Sequence, residues 1–137
     1  MEILVDINGS DNGIDEAIRA VIAMKNKTKS KLTLVGDEEK IIGYIKDEYL
    51  DKSQNIIKEL SIIDAKDVIT NFDDPAFAIK NKKESSIVKA YDYMKDKEQT
   101  VFISAGSTGA VMAGGVFKIR KKKGIRRSAL FRGFPTP

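Results

Sequence analysis

Apolar runs bounded by turn residues alternate with stretches whose apolar positions recur at helical spacing, the exchange of strands and helices expected of an α/β domain. Ile3, Leu4, Val5 and Ile7 mark a first strand over residues 2–7. The polar turn Asn8-Gly9-Ser10-Asp11-Asn12-Gly13 then feeds a helix whose Ile14, Ala17, Ile18, Val21 and Ile22 share one face. A second strand is predicted over 31–35, after which Gly36-Asp37 turns the chain into another helix. Asp37, Glu38 and Glu39 suit the positive end of its dipole, and Ile41, Ile42 and Ile45 form its buried face. From 56 to 69 the pattern is mixed: Ile56-Ile57 fits the close of a helix, whereas residues 60–63 and Val68-Ile69 fit short strands. Asp73-Asp74-Pro75 opens a helix with proline in its first turn, and a further helix follows Lys82-Lys83-Glu84-Ser85-Ser86. Residues 100–103 are expected as a buried strand, 104–108 as a turn, 109–122 as a helix rich in small residues and 128–131 as a last short strand.

Length and composition place this pattern in one domain, or in one large piece of a bigger one: 137 residues, 42% hydrophobic and 32% charged. The chain has no cysteine and no histidine. Disulfides, thiol nucleophiles, Cys/His zinc sites and a Ser-His-Asp relay within the chain are therefore excluded, and acid–base work at neutral pH falls to Asp, Glu, Lys, Tyr or a substrate group. The run Ile3-Leu4-Val5 is broken by Asp6 and lacks the basic region and long apolar stretch of a signal peptide. The glycine-rich run from Val101 to Phe117 falls short of the roughly 20 apolar residues that cross a bilayer. A cytoplasmic protein is expected.

Charge is split along the chain more than its net +4 indicates. Residues 101–137 carry Lys118, Arg120, Lys121, Lys122, Lys123, Arg126, Arg127 and Arg132 with no acidic side chain, a balance of +8, while residues 1–100 carry −4. Such a tail suits an anionic partner, or is simply a solvated helix end and turn. With no aromatic residues interleaved in Lys121-Lys122-Lys123 and Arg126-Arg127, and no known DNA- or RNA-binding motif, this stretch does not read as a nucleic-acid site.

Three segments could carry chemistry. Ser104-Ala105-Gly106-Ser107-Thr108-Gly109-Ala110 lies between a strand and a helix, where glycines admit close backbone approach and N–H and hydroxyl groups offer donors to an anion. It is neither a Walker loop nor a dinucleotide fingerprint, and a capped glycine turn would look the same. Asp6 and Asp11 flank Gly9 and Ser10 after the first strand; they either orient a ligand or cap the turn and the next helix, and they are too few for a metal site. Lys82 and Lys83 precede Ser85 and Ser86 at a helix start, an arrangement that could clamp a phosphoryl group or be an ordinary solvated helix start.

In their order and spacing these segments resemble the PlsX-type phosphate acyltransferases of bacterial phospholipid synthesis, from Met1 to about Thr136. The resemblance rests on residues 5–12, on Leu34-Val35-Gly36-Asp37-Glu38-Glu39-Lys40-Ile41, on Asp73-Asp74-Pro75, on the Lys82–Ser86 segment and on Ser104–Ala110. It implies a three-layer α/β/α fold with a mostly parallel sheet, akin to isopropylmalate dehydrogenases and phosphotransacetylases, of which this chain would be the N-terminal part. It further implies attack of inorganic phosphate on the thioester of acyl carrier protein, without a cofactor, in a homodimer peripherally associated with the membrane through C-terminal parts absent here. On that footing Gly9, Ser10, Lys82, Lys83, Ser85, Ser86, Gly106, Ser107, Thr108 and Gly109 would bind substrate, with Asp6 or Asp11 orienting these groups. The basic stretch Lys118, Arg120, Lys121, Lys122, Lys123, Arg126 and Arg127 would dock the acidic carrier. Asn8 and Ser10 replace the methionine and second glycine usual in the first turn, and Ser107 stands where asparagine is more frequent. Family members are more than twice as long, so this chain is expected to be inactive alone. A coenzyme A-dependent phosphotransacetylase and a non-catalytic anion-binding module are the competing readings.

Overall fold

A computed structural model describes residues 1–9, 13–121 and 123–129. Its elements follow the predicted alternation: β1 (Glu2–Asp6), α1 (Ile14–Lys25), β2 (Lys31–Gly36), α2 (Glu38–Tyr49), a 3-10 turn (Leu50–Lys52), α3 (Ser53–Glu59) and β3 (Ser61–Asp64). There follow α4 (Pro75–Asn81), α5 (Ser86–Met94), β4 (Thr100–Ile103), α6 (Thr108–Gly114) and a π-helical turn (Gly115–Ile119) that prolongs it. The four strands form one parallel sheet in the order β3-β2-β1-β4, with Val5 opposite Leu34 on one side and Ile103 on the other.

Period-two alternation sends successive strand residues to opposite faces, and each face buries a different cluster. Ile7 and Leu34 pack with Ile18 and Val21 of α1 and with Ile41 and Ile45 of α2. Leu4 and Val35 pack on the other face with Ala65 and with Ala90 of α5. Beyond α5, Ile79, Ile87, Val88, Tyr91 and Ala110 form a third cluster that fixes α4 and α6 to it. The result is a three-layer α/β/α arrangement, as the family resemblance implies. Each fully buried Ile or Leu contributes about 1.5–3 kcal/mol.

Local chemistry sets several boundaries. Asp37 caps α2 by accepting from the Glu39 and Lys40 N–H groups at 3.1 and 3.3 Å, and Asp74 caps α4 through the Phe77 N–H at 2.7 Å ahead of Pro75. Three expectations are corrected. Val68-Ile69 is not a strand: Asp67 makes one isolated bridge to Ser85, and the chain then forms an irregular loop. The helix expected over 109–122 is α-helical only to Gly114, because two successive glycines weaken it and Arg120 ends the π turn at φ 70°. Ser128 and Ala129 are not in a strand, and the remainder of that predicted element lies outside the described residues.

Parallel sheets are normally covered on both faces. The strand expected to be buried, β4, is instead an edge among the described residues: its Phe102 is packed edge-on against Tyr91, whereas Val101 and Ile103 remain 42% and 52% exposed on the α1 side because no helix covers them there. Among the described residues no helix is long and apolar enough to cross a membrane.

Candidate functional site

The chain lays down β1, β2 and β3 in one direction and then returns across the sheet to place β4 on the far side of β1. The helix after β1 packs on one face of the sheet and the helix after β4 on the other, and a crevice opens at the carboxyl ends of these two strands, the usual ligand position in open α/β sheets. Two turns meet there. Gly9, after β1, approaches Gly106, after β4, so closely that a Cβ on Gly9 would overlap the Gly106 backbone.

Asp6 welds the turns together. Its carboxylate is buried, with Oδ2 accepting the Ser104 hydroxyl at 2.7 Å and Oδ1 accepting the Asn8 N–H at 3.0 Å. Ser104 Oγ in turn accepts the Gly106 N–H at 3.1 Å, and the Asn8 amide donates to the Ala65 carbonyl at 3.3 Å. Both Asp6 oxygens are thus occupied in shaping the crevice. Ser107 caps α6, accepting the Ala110 N–H at 3.4 Å. Thr108 and Gly109 are exposed on the first turn, where N–H groups have no acceptor within the helix.

A cleft of about 190 Å³ lies between these turns and residues 68–72. Asn8, Gly9, Gly106 and Ser107 form one side; Val68, Ile69, Thr70, Asn71 and Phe72 form the other. Phe72 stands 99% exposed at its lip. The sequence offered little sign of this second wall, since its apolar start reads as a strand; Ser104 and the Asn8 amide were also missed as organisers of the turns.

The Lys-Lys-x-Ser-Ser segment adopts a different geometry from a helix-start anion clamp. Lys82 is half-buried, and its ammonium donates to the Val68 carbonyl at 2.8 Å and to Asp73 Oδ2 at 3.0 Å, with Asp67 at 4.0 Å. Ser85 is fully buried and donates backward to the Lys82 carbonyl at 2.7 Å rather than capping α5; Ser86 is buried beside it, while Lys83 is exposed. Asp73 is held below its ordinary value by the Thr70 N–H, the Lys82 ammonium and the Thr70 hydroxyl. Ser10 and Asp11 lie outside the described residues, as does Lys122. Of the remaining basic stretch, Lys118 pairs with Asp92 at 2.9 Å and Lys121 donates to the Arg126 carbonyl at 2.8 Å. Arg120, Lys123, Arg126 and Arg127 are exposed. Arg120, Lys121 and Arg127 also rim a largely apolar cavity of about 470 Å³ that includes Tyr91, Met94, Ile119 and Ile125.

Four parallel strands with a small cleft between two glycine turns at the carboxyl ends of β1 and β4 define an open-sheet α/β protein, and in such sheets ligands sit at this end of the strands. The whole length, residues 1–137, matches the family described as fatty acid synthesis protein, and the chain belongs to that family. It is 39% identical to the phosphate acyltransferase of Clostridium acetobutylicum and 41% to that of Clostridium novyi, in each case over 95% of this chain and 38% of the relative. It is 38% identical to the phosphate acyltransferase of Caldicellulosiruptor saccharolyticus over 98% of this chain and 39% of the relative. The resemblance drawn from the five sequence segments is thereby borne out. The chain spans well under half the length of these curated relatives.

Proposed function

We propose that this chain is the N-terminal part of a phosphate acyltransferase of phospholipid synthesis, which moves an acyl group from acyl carrier protein to inorganic phosphate. A phosphate oxygen attacks the thioester carbonyl, the C–O bond forms, the C–S bond breaks and the carrier leaves as its thiol. Phosphate is itself the nucleophile, which suits a chain without cysteine or histidine. The observation that carries the reading is the cleft at the switch point, where close-packed Gly9 and Gly106 bring main chain to its wall and the first turn of α6 opens beside it. N–H groups from Gly106 to Gly109 hold phosphate or the oxyanion of the tetrahedral intermediate, and exposed Lys83 draws the anion in. Asp6 holds the two turns in place, and the apolar cavity rimmed by Arg120, Lys121 and Arg127 docks the acidic carrier protein. The complete enzyme works as a homodimer in the cytoplasm, peripheral to the membrane, and needs no cofactor.

The deciding experiment is release of carrier thiol from a long-chain acyl carrier protein with and without phosphate, on this chain and on the full-length protein. Phosphate-dependent release by the full-length protein alone is expected. Release from acyl coenzyme A in preference would move the protein to the phosphotransacetylases; silence in the full-length protein would leave an anion-binding module. Turnover by the 137-residue chain would overturn its expected inactivity.

A further inference from the structure

The second wall of the cleft is one continuous strip, residues 68–72, outside any regular element. A loop of this kind needs anchors to keep a fixed shape, and both of its ends are tied to a single atom. Lys82 Nζ donates to the Val68 carbonyl, where the strip begins, at 2.8 Å and to Asp73 Oδ2, immediately after it ends, at 3.0 Å. Asp73 Oδ2 also accepts the Thr70 N–H at 2.7 Å and the Thr70 hydroxyl at 3.0 Å, which folds the middle of the strip onto the same ion pair. The remaining face of the ammonium is turned to Asp67, 4.0 Å away. Lys82 itself is held by the C-terminal turn of α4, its N–H donating to the Ala78 carbonyl, and by the Ser85 hydroxyl on its own carbonyl.

From this arrangement we infer that Lys82 is a positioning residue: through Asp73 and the Val68 carbonyl it clamps residues 68–72 into the wall of the cleft, and it does not itself touch phosphate. The inference rests on the acyltransferase reading for its kinetic consequences but not for the clamp. An ammonium that already donates to a carbonyl and a carboxylate is largely neutralised towards a third anion. The strip is otherwise held by Ile69, buried in the core, and by backbone bonds of Asp67 with Glu84 and Ser86 before it begins, and the Lys82–Asp73 pair is what joins its two ends.

The two roles predict opposite signs at Asp73. If Lys82 bound phosphate, Asp73→Asn would release the ammonium from its competing carboxylate and lower the phosphate KM. If Lys82 is the clamp, Asp73→Asn and Lys82→Met break the same link, and each raises the phosphate KM of the full-length enzyme about tenfold, the loss expected for one charge-assisted hydrogen bond. Because both variants lose the Lys82–Asp73 pair, the loss in the double variant falls short of the product of the two single losses. Amide hydrogen exchange supplies a readout independent of turnover: in Lys82→Met and Asp73→Asn the segment 67–74 should lose protection while β1 and β2 keep theirs. A fall in KM for Asp73→Asn, additive losses in the double variant, or unchanged protection of 67–74 would each overturn the clamp. Should Lys82→Met fail to fold, Asp73→Asn with Lys82→Arg, which keeps the charge, decides by the same signs. If the full-length protein shows no phosphate-dependent thiol release at all, the acyltransferase reading fails while the exchange measurement still judges the clamp.

Discussion

At the scale of single residues, the site depends on what is absent from Gly9 as much as on what is present at Asp6. A methyl group at position 9 would sit inside the Gly106 backbone, and neither turn has a flexible side chain whose movement could make room. Gly9→Ala is expected to cost about 1–3 kcal/mol in urea unfolding, the usual range for overpacking, and to open the Asp6–Ser104 hydrogen bond. An unchanged midpoint would show that the turns separate easily. The glycines at 9 and 106 were legible in the sequence as candidate ligand turns because glycine after a strand is a local signal. Their mutual contact was not, since they stand 97 positions apart in the chain and only strand order brings them together.

Elements are joined here by a few polar residues placed where strands and helices meet, and Glu2 is the clearest of them. From the start of β1 its carboxylate accepts the Thr33 hydroxyl of β2 at 2.7 Å, pairs with Lys31 at 3.1 Å and accepts the Tyr93 hydroxyl of α5 at 3.0 Å. Burial pushes its pKa up, but hydrogen bonds from Thr33, Lys31 and Tyr93 outweigh that and hold it below the ordinary 4.5. Since the folded value is the lower one, the unfolded chain takes up the proton first as the pH falls. Glu2 therefore contributes its full stability above about pH 4.5 and loses it progressively as pH falls through the folded value. Glu2→Gln should destabilise the protein by about 1–3 kcal/mol at pH 7 and by progressively less as the pH falls below 4.5. Parallel acid limbs for the two proteins would remove Glu2 from the balance. The elements themselves were read well where periodicity or capping is strong: β4 matches residue for residue, and the cap at Asp37 and the proline start of α4 match also. Misreadings fell where a long-range contact overrides local preference, as at Val68-Ile69, whose carbonyl at 68 is taken by Lys82 instead of a neighbouring strand.

On the scale of the whole molecule, the helical layer on the α1 side leaves part of the sheet uncovered among the described residues. An apolar groove of about 270 Å³ runs between α1 and the sheet, lined by Ile3, Val5, Ala20, Met24, Leu32 and Ile103, beside the edge of β4, which has no strand partner on its outer side among the described residues. Exposed apolar edges of this kind invite pairing with another chain. Purified alone, the 137-residue chain should elute larger than a monomer at high concentration in size-exclusion chromatography with light scattering, and Ile103→Lys should return it to the monomer. The same elution for both would mean that this face is inert.

What the sequence determined by itself is what short-range physics encodes: the alternation that makes strands and helices, the caps that start them, the glycine turns after β1 and β4, and the chemistry excluded by a chain without cysteine or histidine. Tertiary structure alone decided which groups face each other across that frame. It set β4 beside β1 so that Gly9 meets Gly106, turned both Asp6 oxygens inward to the two turns, and spent the Lys82 ammonium on Val68 and Asp73. A side chain's identity states what it can bind; its partner is chosen by topology, and burial makes that choice costly to reverse because an unpaired polar group loses water without replacement.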